Sequence, residues 1–117
     1  MSLKNLRAGL PIGAITFDHS ATSVGGTFVT MMSSAISLSC DKVMCFDSSG
    51  EQIWLAWANT NLASAVTTGS DAVLVPPGGL DGQPDLFVPS GSYFFIKSNT
   101  QTTTSGQFIL NLFKDQE

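Results

Sequence analysis

The sequence predicts an all-β protein, an antiparallel β-sandwich or jelly roll of about eight strands with an extended N-terminal arm. Three observations support this class. Short apolar runs of strand length recur every 8–12 residues or so and end at Gly, Pro, Asp or Ser, as turns require. Several runs alternate apolar and polar residues with the period of two that a half-buried strand needs. The 117 residues suffice for one domain with a sandwich-type core.

The N-terminal third contains an arm and three predicted strands. Residues 1–11 are interrupted by Gly9 and Pro11 and predict an extended arm, so the sandwich domain is assigned to residues 12–117. The weak alternation of 12–17 predicts the first strand, and the β-rich residues 27–31 predict the second. Strict alternation over 35–40 predicts a half-buried strand that turns Ile36, Leu38 and Cys40 toward the core.

The middle of the chain predicts two strands around a tight turn. The apolar residues 43–46 lead into Asp47-Ser48-Ser49-Gly50, where Asp can bond the turn backbone and Gly can adopt positive φ. Residues 51–58 form the next strand. Its alternation places Ile53, Leu55 and Trp57 on one face and Trp54, Ala56 and Ala58 on the other. Residues 59–70 lack periodicity and predict a loop.

The last third predicts two short strands and a closing hairpin. Residues 72–75 form a strand that Pro76-Pro77-Gly78-Gly79 must end, and residues 86–88 form another. The aromatic run 93–97 and the apolar run 107–113 flank a polar loop, which predicts a β-hairpin. Both faces of this hairpin are apolar, so we expect it to be central between layers or covered by another subunit.

Charge excludes one large class of partner. Charged residues make up 12% of the chain and the net charge is −4, which argues against nucleic acid as a partner. A neutral polar surface loses little on desolvation and so favours permanent assembly, although a turn-rich β protein would have the same composition. No signal peptide or membrane-spanning run is recognisable, which predicts synthesis in a cytoplasm and no membrane partner.

No combination of residues predicts catalysis. Asp18-His19-Ser20 contains the residue types of a hydrolytic triad, but neighbours in sequence cannot converge as a triad does, so His19 is predicted to be an exposed loop residue. Cys40 and Cys45 are predicted to be buried free thiols. We therefore expect a protein that is not an enzyme, with no catalytic residue, no metal site and no cofactor.

The pattern from residue 35 to 113 resembles small virion proteins of tailed bacteriophages, especially capsid decoration (cement or stapling) proteins. The resemblance lies in Cys45-Phe46-Asp47-Ser48-Ser49-Gly50, in Val73-Leu74-Val75-Pro76-Pro77-Gly78-Gly79 and in the segments 88–97 and 104–110. It implies a non-enzymatic protein, made in the host cytoplasm and located on the capsid surface of the virion. There it would act as a dimer or trimer that bridges subunits of the major capsid protein.

Residues for such contacts are predicted in two places. The arm supplies apolar anchors and two cations, and the hairpin tip supplies a contact loop; the residues are Leu3, Lys4, Leu6, Arg7 and Leu10, with Thr102, Thr103 and Thr104. Two alternatives stay open. One is a head-to-tail or tail adaptor of the virion. The other is a carbohydrate-binding or host-recognition module, which would need an exposed Trp54 or Tyr93 beside polar partners.

Overall fold

The fold is an antiparallel β-sandwich of eight strands. The computed structural model describes residues 10–69, 71–80, 85–99 and 102–114. The strands are β1 (Leu10–Asp18), β2 (Val29–Thr30), β3 (Cys40–Asp47), β4 (Ile53–Ala58), β5 (Ala72–Val75), β6 (Asp85–Val88), β7 (Tyr93–Ser98) and β8 (Gln107–Lys114). A short 3-10 helix, Ala63–Ala65, lies between β4 and β5. The predicted all-β class is confirmed.

The eight strands divide equally between two sheets. The first sheet has the order β1-β8-β3-β6, and the second sheet has the order β2-β7-β4-β5. This is the order of a jelly roll, in which the chain passes back and forth between the layers. Of the described strands, β4 and β5 are the sequence neighbours that pair with each other, in a register that sets Ile53 opposite Val75.

The main core lies between the two sheets. The first sheet contributes Val43, Cys45, Phe108 and Leu110, and the second sheet contributes Ile53, Leu55, Val75, Phe94 and Ile96, all of them buried. Each side chain of this size that is removed from water contributes about 1.5–3 kcal/mol. The alternation predicted for β4 is confirmed, because Ile53 and Leu55 enter this core with Trp57 packed at its margin.

A smaller cluster covers the outer face of the second sheet. Ala56 and Phe95 point away from the main core and are nevertheless fully buried. Phe28 and Val66 pack onto them from outside the sheet. Because Val66 belongs to the segment between β4 and β5, the chain itself folds over this face. The two apolar faces of β7 are therefore both explained within one copy of the protein.

The predicted closing hairpin is wrong. β7 lies between β2 and β4 in the second sheet, whereas β8 lies between β1 and β3 in the first sheet. The two strands thus stand in opposite layers and share no ladder. A polar loop of this composition serves a crossover between layers as well as a hairpin. Local composition cannot distinguish the two arrangements.

Two predicted boundaries also change. The strand predicted over 35–40 is wrong, since residues 35–39 are irregular, with a bend at Ser37 and Leu38, and β3 begins only at Cys40. Leu38, predicted to face the core, is 53% exposed. Ile36 instead exchanges backbone hydrogen bonds with Ser92 and Gly91 at the turn before β7. At the N-terminus, β1 begins at Leu10, within the range predicted as the arm; residues 1–9 lie outside the described residues.

Candidate functional site

The outer side of the first sheet presents several apolar side chains toward solvent. Alternation along β3 and β8 turns Cys45 and Leu110 inward, and so turns their neighbours outward. The register sets Phe46 beside Ile109 and Met44 beside Asn111. Phe87, next to the buried Val88 on β6, faces the same side. We call the surface formed by Met44, Phe46, Phe87, Ile109 and Phe113 the outer sheet face.

Two aromatic side chains on this face remain in water. Phe46 is 52% exposed and Phe87 is 62% exposed, while Met44, Ile109 and Phe113 are half-buried. No segment of the described chain covers them as Phe28 and Val66 cover the second sheet. Phe46 lies near the end of β3 and Phe87 beside its start, with the half-buried Met44 between them along the strand. Several apolar side chains exposed on one face of a sheet are typical of a protein-protein contact.

The surroundings of the outer sheet face are neutral toward β1 and charged at Lys42 on β3, which stands opposite Phe113. Thr16 on β1 stands opposite Ile109, on the other side of β8 from Phe46. Asn111 lies between Ile109 and Phe113 on the same face of β8. Neutral side chains of this kind can be desolvated at a smaller cost than ions. The face thus combines apolar anchors with surroundings that are inexpensive to desolvate on the β1 side and more costly at Lys42.

The predicted contact residues that the structure describes lie at two different ends of β8. Leu3, Lys4, Leu6 and Arg7 lie outside the described residues. Leu10 is 48% exposed and stands opposite Lys114, at the end of β8. The threonine tip precedes Gln107 and therefore lies near the opposite end of the same strand.

Within the tip, the three threonines have different surroundings. Thr102 and Thr104 are exposed, whereas Thr103 is 3% exposed and forms a two-way backbone bridge with Val24. Thr103 holds the loop in place against the segment that follows β1. Thr102 and Thr104 are the tip residues that remain accessible to a partner.

His19 is buried, which corrects its prediction as an exposed loop residue. Its ring is fully buried, and Nε2 lies 3.0 Å from Oδ1 of Asp47. The cause is the strand order, because Phe17, Phe108 and Asp47 stand side by side on β1, β8 and β3. The turn after β1 therefore brings His19 to the end of β3. The backbone N–H of His19 also donates to the carbonyl of Gly106 at 2.9 Å.

This polar cluster lacks the geometry of a hydrolytic triad. The hydroxyl of Ser49 donates to Oδ2 of Asp47, so the carboxylate stands between the hydroxyl and the imidazole. A nucleophilic serine would instead have to bond the imidazole that removes its proton. Ser20 is occupied elsewhere: its hydroxyl and its backbone N–H donate to Asp18 and hold the pKa of that carboxyl below its ordinary value. The cluster ties together loops at one end of the sandwich.

The cysteines are buried free thiols, as predicted. Burial raises the pKa of Cys40 to about 11, with a smaller contribution from the charge of Asp41. Burial alone raises the pKa of Cys45 to about 12. A thiol held protonated in this way is a poor nucleophile and a poor metal ligand. Across the described residues, no group of three or more His, Cys, Asp or Glu side chains is placed to hold a metal ion.

The two aromatic residues named for carbohydrate binding are partly occupied by the protein. Trp54 is half-buried, and its indole N–H donates to Oδ1 of Asn99 at 2.9 Å. Tyr93 is half-buried at the edge of the smaller cluster. Sequence reasoning overlooked the outer sheet face, although the alternation of Phe46 with the neighbouring Cys45 was a signal that could have located it.

Comparisons with known proteins place the chain in no group. Within the part that the structure describes, no helix has the length and hydrophobicity to cross a membrane. No family model, no curated protein and no solved structure matches the chain.

Proposed function

We propose that the protein is a non-enzymatic structural component of a virion, a capsid decoration (cement) protein. In this proposal it binds the outer capsid surface through its outer sheet face and stabilises neighbouring subunits of the major capsid protein. The observation that supports it best is the exposure of two aromatic side chains, Phe46 and Phe87, on the outer sheet face.

The asymmetry between the two sheets strengthens this argument. The second sheet is covered by the chain's own residues, including Val66, so it has no comparable need for a partner. Aromatic residues near the centre of an interface supply much of its binding energy when a partner excludes water from around them. A typical stable interface buries about 800 Å² on each partner. The outer sheet face would form the apolar centre of such a contact, with neighbouring loops as its rim.

The jelly-roll topology is compatible with the proposal by analogy. Jelly rolls occur in viral capsid domains and in lectins, and the same fold carries many unrelated functions. The argument for assembly therefore depends on the outer sheet face. The resemblance of the segments 88–97 and 104–110 to capsid decoration proteins is the reason for proposing a virion as that assembly.

Binding to undecorated capsids tests the proposal. We expect stoichiometric occupancy by electron microscopy, in hundreds of copies per particle rather than in a ring of a few copies, as an adaptor would form. Phe46→Ser and Phe87→Ser should each weaken binding by about 30-fold, the loss typical of an interface anchor.

Leu62→Ser provides the matched control. Leu62 is 56% exposed, similar to Phe46, but it belongs to the segment that covers the second sheet. Its substitution should leave occupancy unchanged. Absence of wild-type binding, or equal losses in the control and in the two phenylalanine variants, would contradict the proposal. A small ring of copies would favour the adaptor.

A further inference from the structure

A groove opens at the end of the sandwich where β4 finishes. Its volume is about 350 Å³, and Trp57, Asn59, Val66, Asp71 and Ser92 are among the residues that line it. We call it the Trp57 groove. Ligand pockets in proteins span about 300–1,000 Å³ and combine an apolar wall with a few polar groups that orient the ligand. The Trp57 groove has this size and this composition.

The backbone fixes the aromatic wall of the groove. The N–H of Trp57 donates to the carbonyl of Asp71 at 3.1 Å, which joins the end of β4 to the start of β5. One part of the indole packs on Phe94, with ring centroids 6.4 Å apart and a tilt of 57°. Because the side chain is only half-buried, the remaining indole surface borders the groove. Core packing thus holds the ring rigid while part of it stays accessible.

Four polar side chains at the groove have no protein partner. Within the described part of the chain, the side chains of Trp57, Asn59, Asp71 and Ser92 make no hydrogen bond or ion pair. Asn59 and Asp71 are exposed, so their polar groups are accessible from the groove, whereas Ser92 is buried and contributes to its wall.

We propose that the Trp57 groove binds a neutral saccharide. The face of an indole packs well on the C–H groups of a sugar ring, while a carboxylate, an amide and a hydroxyl match the hydroxyls around its edge. Asp71 makes an anionic sugar unfavourable, because no Lys or Arg is among the described residues that line the groove. A quaternary ammonium ion prefers a cage of several aromatic rings. Among the described residues of the Trp57 groove, one is aromatic, namely Trp57. A quaternary ammonium ion would also offer no hydrogen-bond partner to the amide of Asn59.

This inference is independent of the capsid proposal. The groove is built from the second sheet, the 59–71 segment and the turn before β7, whereas the outer sheet face belongs to the first sheet. It also differs from a site built on Trp54, whose indole N–H is already bonded to Asn99. Either proposal can fail without the other.

Tryptophan fluorescence provides a direct test. The chain has two tryptophans, so Trp54→Phe leaves Trp57 as the sole tryptophan reporter. We would titrate this variant with maltotriose, cellotriose, mannotriose and triacetylchitotriose, and expect at least one to change the emission of Trp57 saturably. In Asp71→Asn and in Asn59→Ala, made in the same background, the affinity should fall by about tenfold through the loss of one hydrogen-bonding group.

Asp18→Asn is the matched control for the lost charge. Asp18 is also an exposed aspartate, but it belongs to β1 of the first sheet, so this variant should bind like its parent. Circular dichroism of every variant verifies the fold. The proposal would be overturned if no saccharide of the panel bound more tightly than about 10 mM. Unchanged affinity in both groove variants, or saturable binding of tetramethylammonium in place of the sugars, would also overturn it.

Discussion

At the scale of single residues, two adjacent glycines after β5 carry different constraints. Gly78 and Gly79 have φ values of 92° and 108°, in the left-handed region that favours glycine. A Cβ on Gly78 would meet nothing within 4 Å. A Cβ on Gly79 would overlap the carbonyl oxygen of Cys45 and lie 2.8 Å from Cα of Phe46. These neighbours are backbone atoms of β3, which cannot move aside as a flexible side chain would.

Alanine substitutions at these two positions should distinguish the cost of positive φ from the cost of steric overlap between a Cβ and strand β3. Gly78→Ala should lower the free energy of unfolding by about 1–2 kcal/mol, the cost of positive φ in an L-residue. Gly79→Ala should lower it by more than about 3 kcal/mol, since strand β3 must also shift. Urea unfolding of both variants measures the difference. Equal losses would show that Gly79 does not approach β3 this closely.

The buried thiols predict how stability depends on pH. Cys45 keeps its proton up to a pKa of about 12, whereas in the unfolded chain it ionises near its ordinary value of 9.0. Between these values the unfolded state binds fewer protons than the folded state, so the free energy of unfolding falls as pH rises. The contribution is fully present below about pH 9 and is lost progressively above it.

Replacing the thiol removes this dependence. Cys45→Ala should be less stable than wild type at neutral pH because of the cavity, but should lose less stability between about pH 8 and about pH 11. Urea unfolding at several pH values measures how the free energy of unfolding changes with pH in wild type and in the variant. Cys40→Ala is the companion variant, with a narrower window because the pKa of Cys40 is raised only to about 11. If the free energy of unfolding depends on pH equally in wild type and in both variants, the raised pKa values of the two thiols would be contradicted.

At the scale of elements, sequence predicted the positions of most strands, but alternation alone did not decide which segments form them. The two faces of β4 are as expected, and Gly50 has the predicted positive φ, at 84°. The carboxylate of Asp47, expected to bond the turn backbone, instead accepts from Ser49 and bonds His19. The segment 35–40 alternates equally well yet forms no strand. Alternation reports only that a segment could lie half-buried on a sheet. It does not supply a partner strand, and here Ile36 finds its backbone partners in the turn at Gly91 and Ser92.

Strand partners were the weakest part of the prediction for the same reason. Phe94 and Phe108 both face the core, as alternation indicates, but they belong to opposite sheets. A loop of polar residues permits a hairpin or a crossover, and the choice is made by distant strands. Sequence could not locate the exposed candidate surfaces for the same reason. Covering the second sheet requires Val66 from a segment without periodicity, so sequence could not show which sheet would remain exposed.

At the scale of the whole molecule, the jelly roll closes by pairing its first and last strands. Leu10 stands opposite Lys114, and β8 holds β1 on one side and β3 on the other. Almost every strand pair joins segments far apart in the sequence, so the chain must lose loop-closure entropy before most contacts form. Such topologies fold slowly for their size.

We therefore expect refolding on a timescale of roughly milliseconds to seconds, typical of all-β sandwiches. Stopped-flow dilution from urea, followed through Trp54 and Trp57 emission, measures it. Leu110→Ala, in the centre of β8, should slow refolding if β8 has joined its neighbours in the transition state, and should only speed unfolding if it docks afterwards. Ile109→Ala, its half-buried neighbour on the outer sheet face, is the control and should perturb either rate less. Refolding within microseconds would mean that local contacts dominate, which is incompatible with a ladder between β1 and β8.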